Sequence, residues 1–232
     1  MGFFDKLSKK TAEDYFKEGV ELARIGRYST AISSFDKAIA IKPDYALAWY
    51  NRGDALDNLE RYSEALDSLD KAIAIDPDMH ELWYNRGVVL AKLNRFSEAI
   101  ESFKKALVYY PHNATVWFNC GVVQFVLDQY SEAVDSCDRA LIIDPDITEA
   151  WKTRGFALRS LGRYSEAIDS FDKCLAIEPN EADVWYSRGN SLSNLGRHAE
   201  AVASFDTALA INPNHTEAKK YREISLKKQM KS

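Results

Sequence analysis

Cysteine is scarce in this chain, three in 232 residues. An odd number cannot close a complete disulfide framework, and none stands in a Cys-x-x-Cys pair of the kind that holds zinc or shuttles electrons. Histidine is nearly as rare, and no two of the four share the i, i+4 spacing of a helical metal pair. No apolar run approaches the ~18 residues of a membrane span, and Met1 to Lys10 is too short and interrupted for a signal peptide. Basic excess is missing too: 30 Lys and Arg stand against 35 Asp and Glu, which leaves no general grip on phosphate. Together these absences argue against a secreted disulfide scaffold, a membrane span, a metal centre and a nucleic-acid coat. They predict a soluble, cytoplasmic protein working in a reducing compartment, with no cofactor and no metal.

What is present is periodic. All six prolines, Pro43, Pro77, Pro111, Pro145, Pro179 and Pro213, are 34 residues apart. The five tryptophans, Trp49, Trp83, Trp117, Trp151 and Trp185, keep the same interval, with Tyr15 one period earlier, and a glycine follows each of these rings by four residues, from Gly19 to Gly189. Such a period marks stacked supersecondary units. The sequence divides into an N-terminal segment, residues 1–11; six repeats, residues 12–45, 46–79, 80–113, 114–147, 148–181 and 182–215; and a C-terminal helix, residues 216–232. Within each repeat, apolar residues recur at three- and four-residue steps, as in Trp49, Gly53, Leu56 and then Ala65, Leu69, Ala72, the stripes of two amphipathic helices. Ser29, Ser63, Ser97, Ser131 and Ser165 stand where a hydroxyl would cap the second helix. One hairpin cannot bury both its faces, so stability must come from stacking.

These residues resemble the tetratricopeptide repeat family, with its aromatic-x-x-x-Gly start, its Ala-x-x-x-Phe-x-x-Ala second helix as in Ala31, Phe35 and Ala38, and its closing proline. The resemblance covers Ala12 to His215. It implies an all-α fold, a right-handed alpha-alpha superhelix of antiparallel helix pairs, whose first helices line a concave groove that holds a peptide or helix of a partner. It also implies that Thr216 to Met230 forms the solvating helix that ends such arrays, with Tyr221 and Leu226 inward and its lysines outward.

A basic row in the first helices, Arg52, Arg86, Arg154 and Arg188, has a structural reading. Sixteen residues before each stands an aspartate, Asp36, Asp70, Asp138 and Asp172, and sixteen after Asp206 stands Arg222. Where the arginine is missing, at Cys120, the residue sixteen earlier is Lys104, so both members depart together. The spacing predicts a ladder of ion pairs from one repeat to the next rather than a nucleic-acid contact.

No acid, base and nucleophile converge, so no catalysis is expected. Cys137 and Cys174 fall in core rows, His80, His112 and His215 at repeat junctions read as surface turns, and His198 in a turn position. Asn113-Ala-Thr and Asn214-His-Thr read as turn and cap residues. Lys6 occupies the place where an N-myristoylation signal wants Ser or Thr; Phe3, Phe4 and Leu7 beside Lys6, Lys9 and Lys10 leave a weak membrane or partner contact open, but no stable anchor. Six bases against two acids in residues 216–232 make a lysine-rich end on an acidic array.

The expected function is therefore a non-catalytic interaction scaffold for a protein or peptide partner, monomeric or weakly self-associating. A self-assembling structural solenoid is the alternative, with an RNA-binding helical repeat behind it. Phe16, Tyr50, Tyr84 and Phe118, with Val20, Asp54, Val88 and Val122, occupy the places where a carboxylate clamp needs lysine and asparagine, so no such clamp is expected. The fourth repeat stands out: Phe118, Val122, Phe125 and Val126 stand where the second repeat has Tyr50, Asp54, Asp57 and Asn58 and the sixth has Tyr186, Asn190, Ser193 and Asn194, so apolar groups replace polar ones. With Tyr84, Phe156 and the cations Lys152 and Arg159, these form the candidate binding groove. Gln124, standing where Leu56 and Leu90 lie, offers a competing reading in which the helix turns and Phe125 joins the core.

Overall fold

The computed structural model describes residues 10–230, so the readings placed on Phe3, Phe4, Lys6, Leu7 and Lys9, and on Lys231, lie outside the described residues. Thirteen α-helices and no strand occur among the described residues. They form two compact units, one up to Pro111 and one from His112 onward. The first holds α1 (Ala12–Arg24), α2 (Tyr28–Ile41), α3 (Ala46–Asn58), α4 (Tyr62–Ile75), α5 (His80–Lys92) and α6 (Phe96–Tyr109). The second holds α7 (Ala114–Val126), α8 (Tyr130–Ile143), α9 (Thr148–Ser160), α10 (Tyr164–Ile177), α11 (Ala182–Asn194), α12 (His198–Ile211) and α13 (Thr216–Gln229). No described helix is long and apolar enough to cross a membrane.

Each odd-numbered helix from α1 to α11 ends in the same way, and the ending makes the hairpin. In α1 the Arg27 amide donates to the Leu22 carbonyl and the Gly26 amide to the Ala23 carbonyl, both at 2.9 Å, the paired bonds of a Schellman motif. This motif puts its turn residue at positive φ, which glycine adopts freely, and Gly26 lies at 75°. Glu60, Asn94 and Asp128 adopt φ of 58–59° at the same place, each at a cost of roughly 1–2 kcal/mol. The residue after it begins the next helix. That residue, not the serine, is the N-cap: Ser29, Ser63, Ser97, Ser131 and Ser165 are each the second residue inside their helix, and no side chain caps α2, α4, α6, α8 or α10. The expected serine caps are thus absent, because the Schellman turn delivers the chain into the helix two residues earlier. At these starts Arg61, Arg95, Arg163 and Arg197 each grip the glutamate three residues on in a two-pronged contact, Glu64, Glu98, Glu166 and Glu200, at 2.6–2.7 Å. The guanidinium holds each of these carboxyls below its usual range.

The shared phase of tryptophan and proline also has a local cause. The residue before a proline is pushed to extended backbone, which ends the second helix of each hairpin and presents the proline carbonyl sideways. The Trp49 indole N–H donates to the Pro43 carbonyl at 2.9 Å, and Trp83, Trp151 and Trp185 do the same to Pro77, Pro145 and Pro179 at 3.2, 2.9 and 2.8 Å. The next hairpin is thereby tied to the loop that precedes it.

Inside four of the six hairpins the core is a ring seated on a glycine, and in the second Leu69 lies against Gly53 instead. Phe35, Phe103, Phe171 and Phe205 are fully buried and lie against Gly19, Gly87, Gly155 and Gly189, where a Cβ would fall 2.5–2.7 Å from a ring carbon. Cys137 takes the ring's place against Gly121. All three cysteines are buried, and burial pushes the Cys137 thiol up to about 12 and the Cys174 thiol up to about 11.

The end helix α13 keeps Ala218 and Ser225 buried and Tyr221 and Leu226 half-buried, while Lys219, Lys220, Lys227 and Lys228 are exposed. Its start corrects one expectation. His215 is not in a surface turn; it is buried as the N-cap of α13, where Nδ1 accepts from the Ala218 amide at 3.3 Å. Its ring packs 4.8 Å from that of Tyr186, and Nε2 lies 3.2 Å from an Asp183 carboxylate oxygen. His112 is exposed, and His80 is the first residue of α5. Asn113 caps α7, its side chain accepting from the Val116 amide at 3.1 Å.

Candidate functional site

The arginines of the first helices point at the aspartates sixteen residues earlier. Arg52 reaches Asp36 at 2.7 Å, and Arg86, Arg154 and Arg188 reach Asp70, Asp138 and Asp172 at 2.6 Å each; Arg222 of α13 pairs with Asp206. A second contact, which the sequence reading passed over, repeats the sixteen-residue interval on the other side of each arginine. The same guanidiniums donate from Nη1 to a serine in their own hairpin, Arg52 to Ser68, Arg86 to Ser102, Arg154 to Ser170 and Arg188 to Ser204, at 2.6–2.8 Å. Each arginine therefore joins three helices, the second helix of one hairpin and both helices of the next. These arginine side chains are only 17–20% exposed, so they are structural ties and not a basic face held out to solvent.

Helix α7 lacks the arginine, and Gln124, one turn after Cys120, answers for it. The buried Gln124 accepts from Ser136 Oγ at 2.6 Å, so the serine that elsewhere meets a guanidinium is still satisfied. The sequence signal was the joint loss of arginine at Cys120 and of leucine at Gln124. Helix α7 keeps the same length and repeat position as α5 and α9, and Phe125 is partly buried against the core that includes Ala133, Val134, Ala157 and Leu158, the part of the competing reading that placed it with the core.

Helix phase therefore leaves Phe118, Val122, Phe125 and Val126 along one side of α7. Phe118 is half-buried against Ala140, Leu141 and Ala150. The Phe125 ring lies 5.6 Å from Tyr130 and 6.4 Å from Phe156, and Phe156 lies 5.5 Å from Phe171. Val122 is half-buried, and Val126 is 51% exposed. The two cations differ. Lys152 is held by Glu149 at 2.7 Å and Glu181 at 3.4 Å; burial works to lower its ammonium pKa, and the two carboxylates outweigh that and raise it. Arg159 donates to the Ser187 hydroxyl at 3.0 Å and lies 5.6 Å from the Phe156 ring, with no carboxylate pairing it among the described residues. Of the two, Arg159 is the one whose charge is not already neutralised.

On α3 of the first unit the corresponding side is polar. Tyr50 accepts from Asn85 at 3.0 Å, Lys92 pairs with Asp57 at 2.7 Å, and Asp54 is exposed beside them. Desolvation, then Asp57, raises the Asp54 carboxyl. Tyr84 is half-buried, its ring 6.1 Å from Phe103.

Sequence comparison agrees with this architecture. Three tetratricopeptide repeat models match the chain, at residues 16–80, at residues 126–184, and at residues 80–113 and 182–215. The chain belongs to the tetratricopeptide repeat family. Among solved structures it is similar to YrrB, described as a TPR protein with an unusual peptide-binding site, with a TM-score of 0.75 and 27% identity over 82% of this chain and 97% of that one. A MamA structure matches with a TM-score of 0.70 and 24% identity over 72% of this chain and 92% of that one, a likeness of fold alone. An uncharacterized protein of Methanocaldococcus jannaschii is 44% identical over 43 residues, 18% of this chain and about half the length of that relative.

Proposed function

We propose that this tetratricopeptide repeat protein is a non-catalytic scaffold that holds a peptide or helix of a partner protein, and that in its second unit the binding face is the apolar side of α7 with Phe156 and Arg159 of α9. The observation that carries this reading is Val126, half exposed at the end of a row of four apolar residues, at a place where the other five repeats carry Arg24, Asn58, Lys92, Ser160 and Asn194. A buried core has no use for that valine, whereas a half-buried apolar row with an exposed end, beside a guanidinium that no carboxylate neutralises, suits an amphipathic segment with a carboxylate. The likeness to YrrB supports peptide binding as the activity of this fold. Tyr84 belongs to the first unit's own face and joins the groove reading only through its repeat position.

Phe118 packs on core alanines, so truncating it would loosen the fold as well as the face; Val126 is the cleaner probe. Peptides selected on the full chain from a random display library should weaken by ~1–3 kcal/mol on Val126→Asp or Arg159→Gln, with the helical circular dichroism unchanged. Selected peptides that bind both variants as tightly as the parent would remove this face from consideration.

A further inference from the structure

The third repeat departs from its siblings at a second place, on the last turn of α6 and away from the inner face. Five repeats end their second helix in Ala-Ile-Lys, Ala-Ile-Asp, Ile-Ile-Asp, Ala-Ile-Glu or Ala-Ile-Asn, whereas the third ends in Val108-Tyr109-Tyr110. A larger apolar residue thus replaces the usual alanine, an aromatic replaces isoleucine, and the polar position that is acidic in three repeats is lost. Val108 is 77% exposed and Tyr109 44%. They line a cleft of about 290 Å³ with Pro77, Trp83 and Lys105. The Lys105 ammonium sits 4.0 Å from the Trp83 ring centroid, and no carboxylate pairs with it among the described residues. Lys104, next in the chain, stands where the other repeats carry the ladder aspartate and is answered only by an exposed Glu101 at 3.2 Å.

Tyr110 has a role of its own, its hydroxyl donating to Glu81 at 3.2 Å, but burial does not explain Val108, which faces solvent. The combined effect of the replacements is chemical: one stretch of α6 gains apolar surface and cationic charge and sheds acid. We infer that this cleft is a second docking site, for a protein segment that presents an aromatic or branched apolar side chain with a carboxylate beside it. The side chain enters between Trp83, Val108 and Tyr109. The carboxylate meets the Lys105 ammonium, which the indole face already holds in place by cation–π attraction. Charge complementarity sets the choice of an acidic over a basic segment, since a cation brought beside Lys105 would be repelled. The inference is independent of the reading of α7, with which the cleft shares no residue.

The probe is a random 12-residue peptide library displayed on phage and selected on the full chain, with the peptides of best enrichment synthesised and titrated by fluorescence anisotropy. One group of binders should carry an aromatic residue next to Asp or Glu and should lose tenfold or more in affinity on Val108→Asp and on Lys105→Glu. That group should be unaffected by Val126→Asp, which separates it from peptides of the inner face. Exchanging the peptide's acid for lysine should restore binding to the Lys105→Glu variant alone. Because both positions are exposed, unchanged circular dichroism is expected for both variants. A selection that yields no acidic-aromatic group, or one whose binding ignores both substitutions or is abolished equally by Val126→Asp, overturns the assignment.

Discussion

Replacing Gly155 by alanine sets two calculable effects against each other. In a helix interior alanine is favoured over glycine by about 1 kcal/mol, so on propensity alone Gly155→Ala would stabilise α9. The packing says otherwise. The added Cβ would lie 2.5 Å from Phe171 Cε1 and 2.7 Å from Cδ1, about 1 Å inside the normal carbon–carbon separation of ~3.5–4.0 Å. Phe171 is fully buried, so its ring cannot swing into solvent, and forced repacking of this kind costs roughly 1–3 kcal/mol. Gly53→Ala is the internal control, because there the Cβ meets Leu69 Cγ at 3.1 Å and the Ala65 carbonyl at 3.3 Å, and a branched aliphatic end yields by a few tenths of an ångström. Urea unfolding followed by tryptophan fluorescence should therefore place Gly155→Ala about 1–2 kcal/mol below Gly53→Ala. The double change Gly155→Ala with Phe171→Leu should lose less than the sum of its parts, since leucine, which takes the ring's place at Leu69 of the second repeat, yields to a Cβ where the ring cannot. If Gly155→Ala is as stable as the parent, the seating of ring on glycine is not what fixes this residue.

For the ladder, a double-mutant cycle of Asp172→Asn and Arg188→Gln should return a coupling of ~0.2–1 kcal/mol, the range for half-exposed pairs; zero coupling would mean the 2.6 Å contact is incidental. Gln124→Leu should fall within about 0.5 kcal/mol of the parent, since Ser136 can turn to the carbonyl four residues back as Ser68 does to Glu64, whereas Gln124→Ala should cost ~2–4 kcal/mol for the cavity it opens in a buried place; equal losses would show that filling this place is not the glutamine's part. His215→Ala should lower stability by ~0.5–2 kcal/mol and His215→Asn by less, because only the second keeps a cap for α13, and equal losses in the melts would show that the cap is idle. The Cys137 thiol ionises in the fold at about 12 against an ordinary 9.0, so between these values the unfolded chain holds fewer protons and the thiol's stabilising contribution, complete below about 9, is lost as pH rises. In a Cys120→Ser, Cys174→Ser background, native labelling at pH 8 by a thiol reagent should proceed no faster than unfolding, and rapid labelling of the folded chain would contradict that burial.

The ladder, the hairpins and the solvating helix were legible because each rests on a constant interval: sixteen residues from Asp to Arg, 34 from proline to proline. What hid was whatever depends on three partners at once. Ser68 and its relatives went unread, although each stands sixteen residues after its arginine, the interval that announced the aspartates; a serine in a core row did not suggest a partner for a charge. The pairing of Lys152 with Glu149 could be read from their separation of three on one helix, but Glu181 lies 29 residues on and is brought in only by stacking α9 against α11. His215 was misplaced through its neighbourhood of turn residues, although the row itself held the signal: Tyr45, Met79 and Ile147 occupy the equivalent place and are all half-buried. A large side chain was the rule there. Serine capping failed for the opposite reason, since the residue type suited a cap while the Schellman turn had already fixed the helix start at the preceding position.

In a repeat protein the informative residues are the exceptions, because each sibling shows what the fold alone demands at that position. By this measure Val126 on α7 and Val108 at the end of α6 belong together: each puts an apolar side chain where solvent already lies. The exchange of Arg for Cys120 with Leu for Gln124 is of the other kind, since Ser136 remains satisfied and the packing is kept. Surface apolar residues are selected against by association and insolubility, so two such departures, in adjacent repeats and of one chemical direction, need a compensating gain. Binding supplies one. It follows that reverting Val126 to the asparagine of the sixth repeat, and Val108 to the alanine of four others, should leave stability within about 0.5 kcal/mol, the range of surface substitutions, while each removes its own class of selected peptide. A loss of stability beyond that range in either reversion would place the residue in the core after all and return its repeat to the ranks of scaffold.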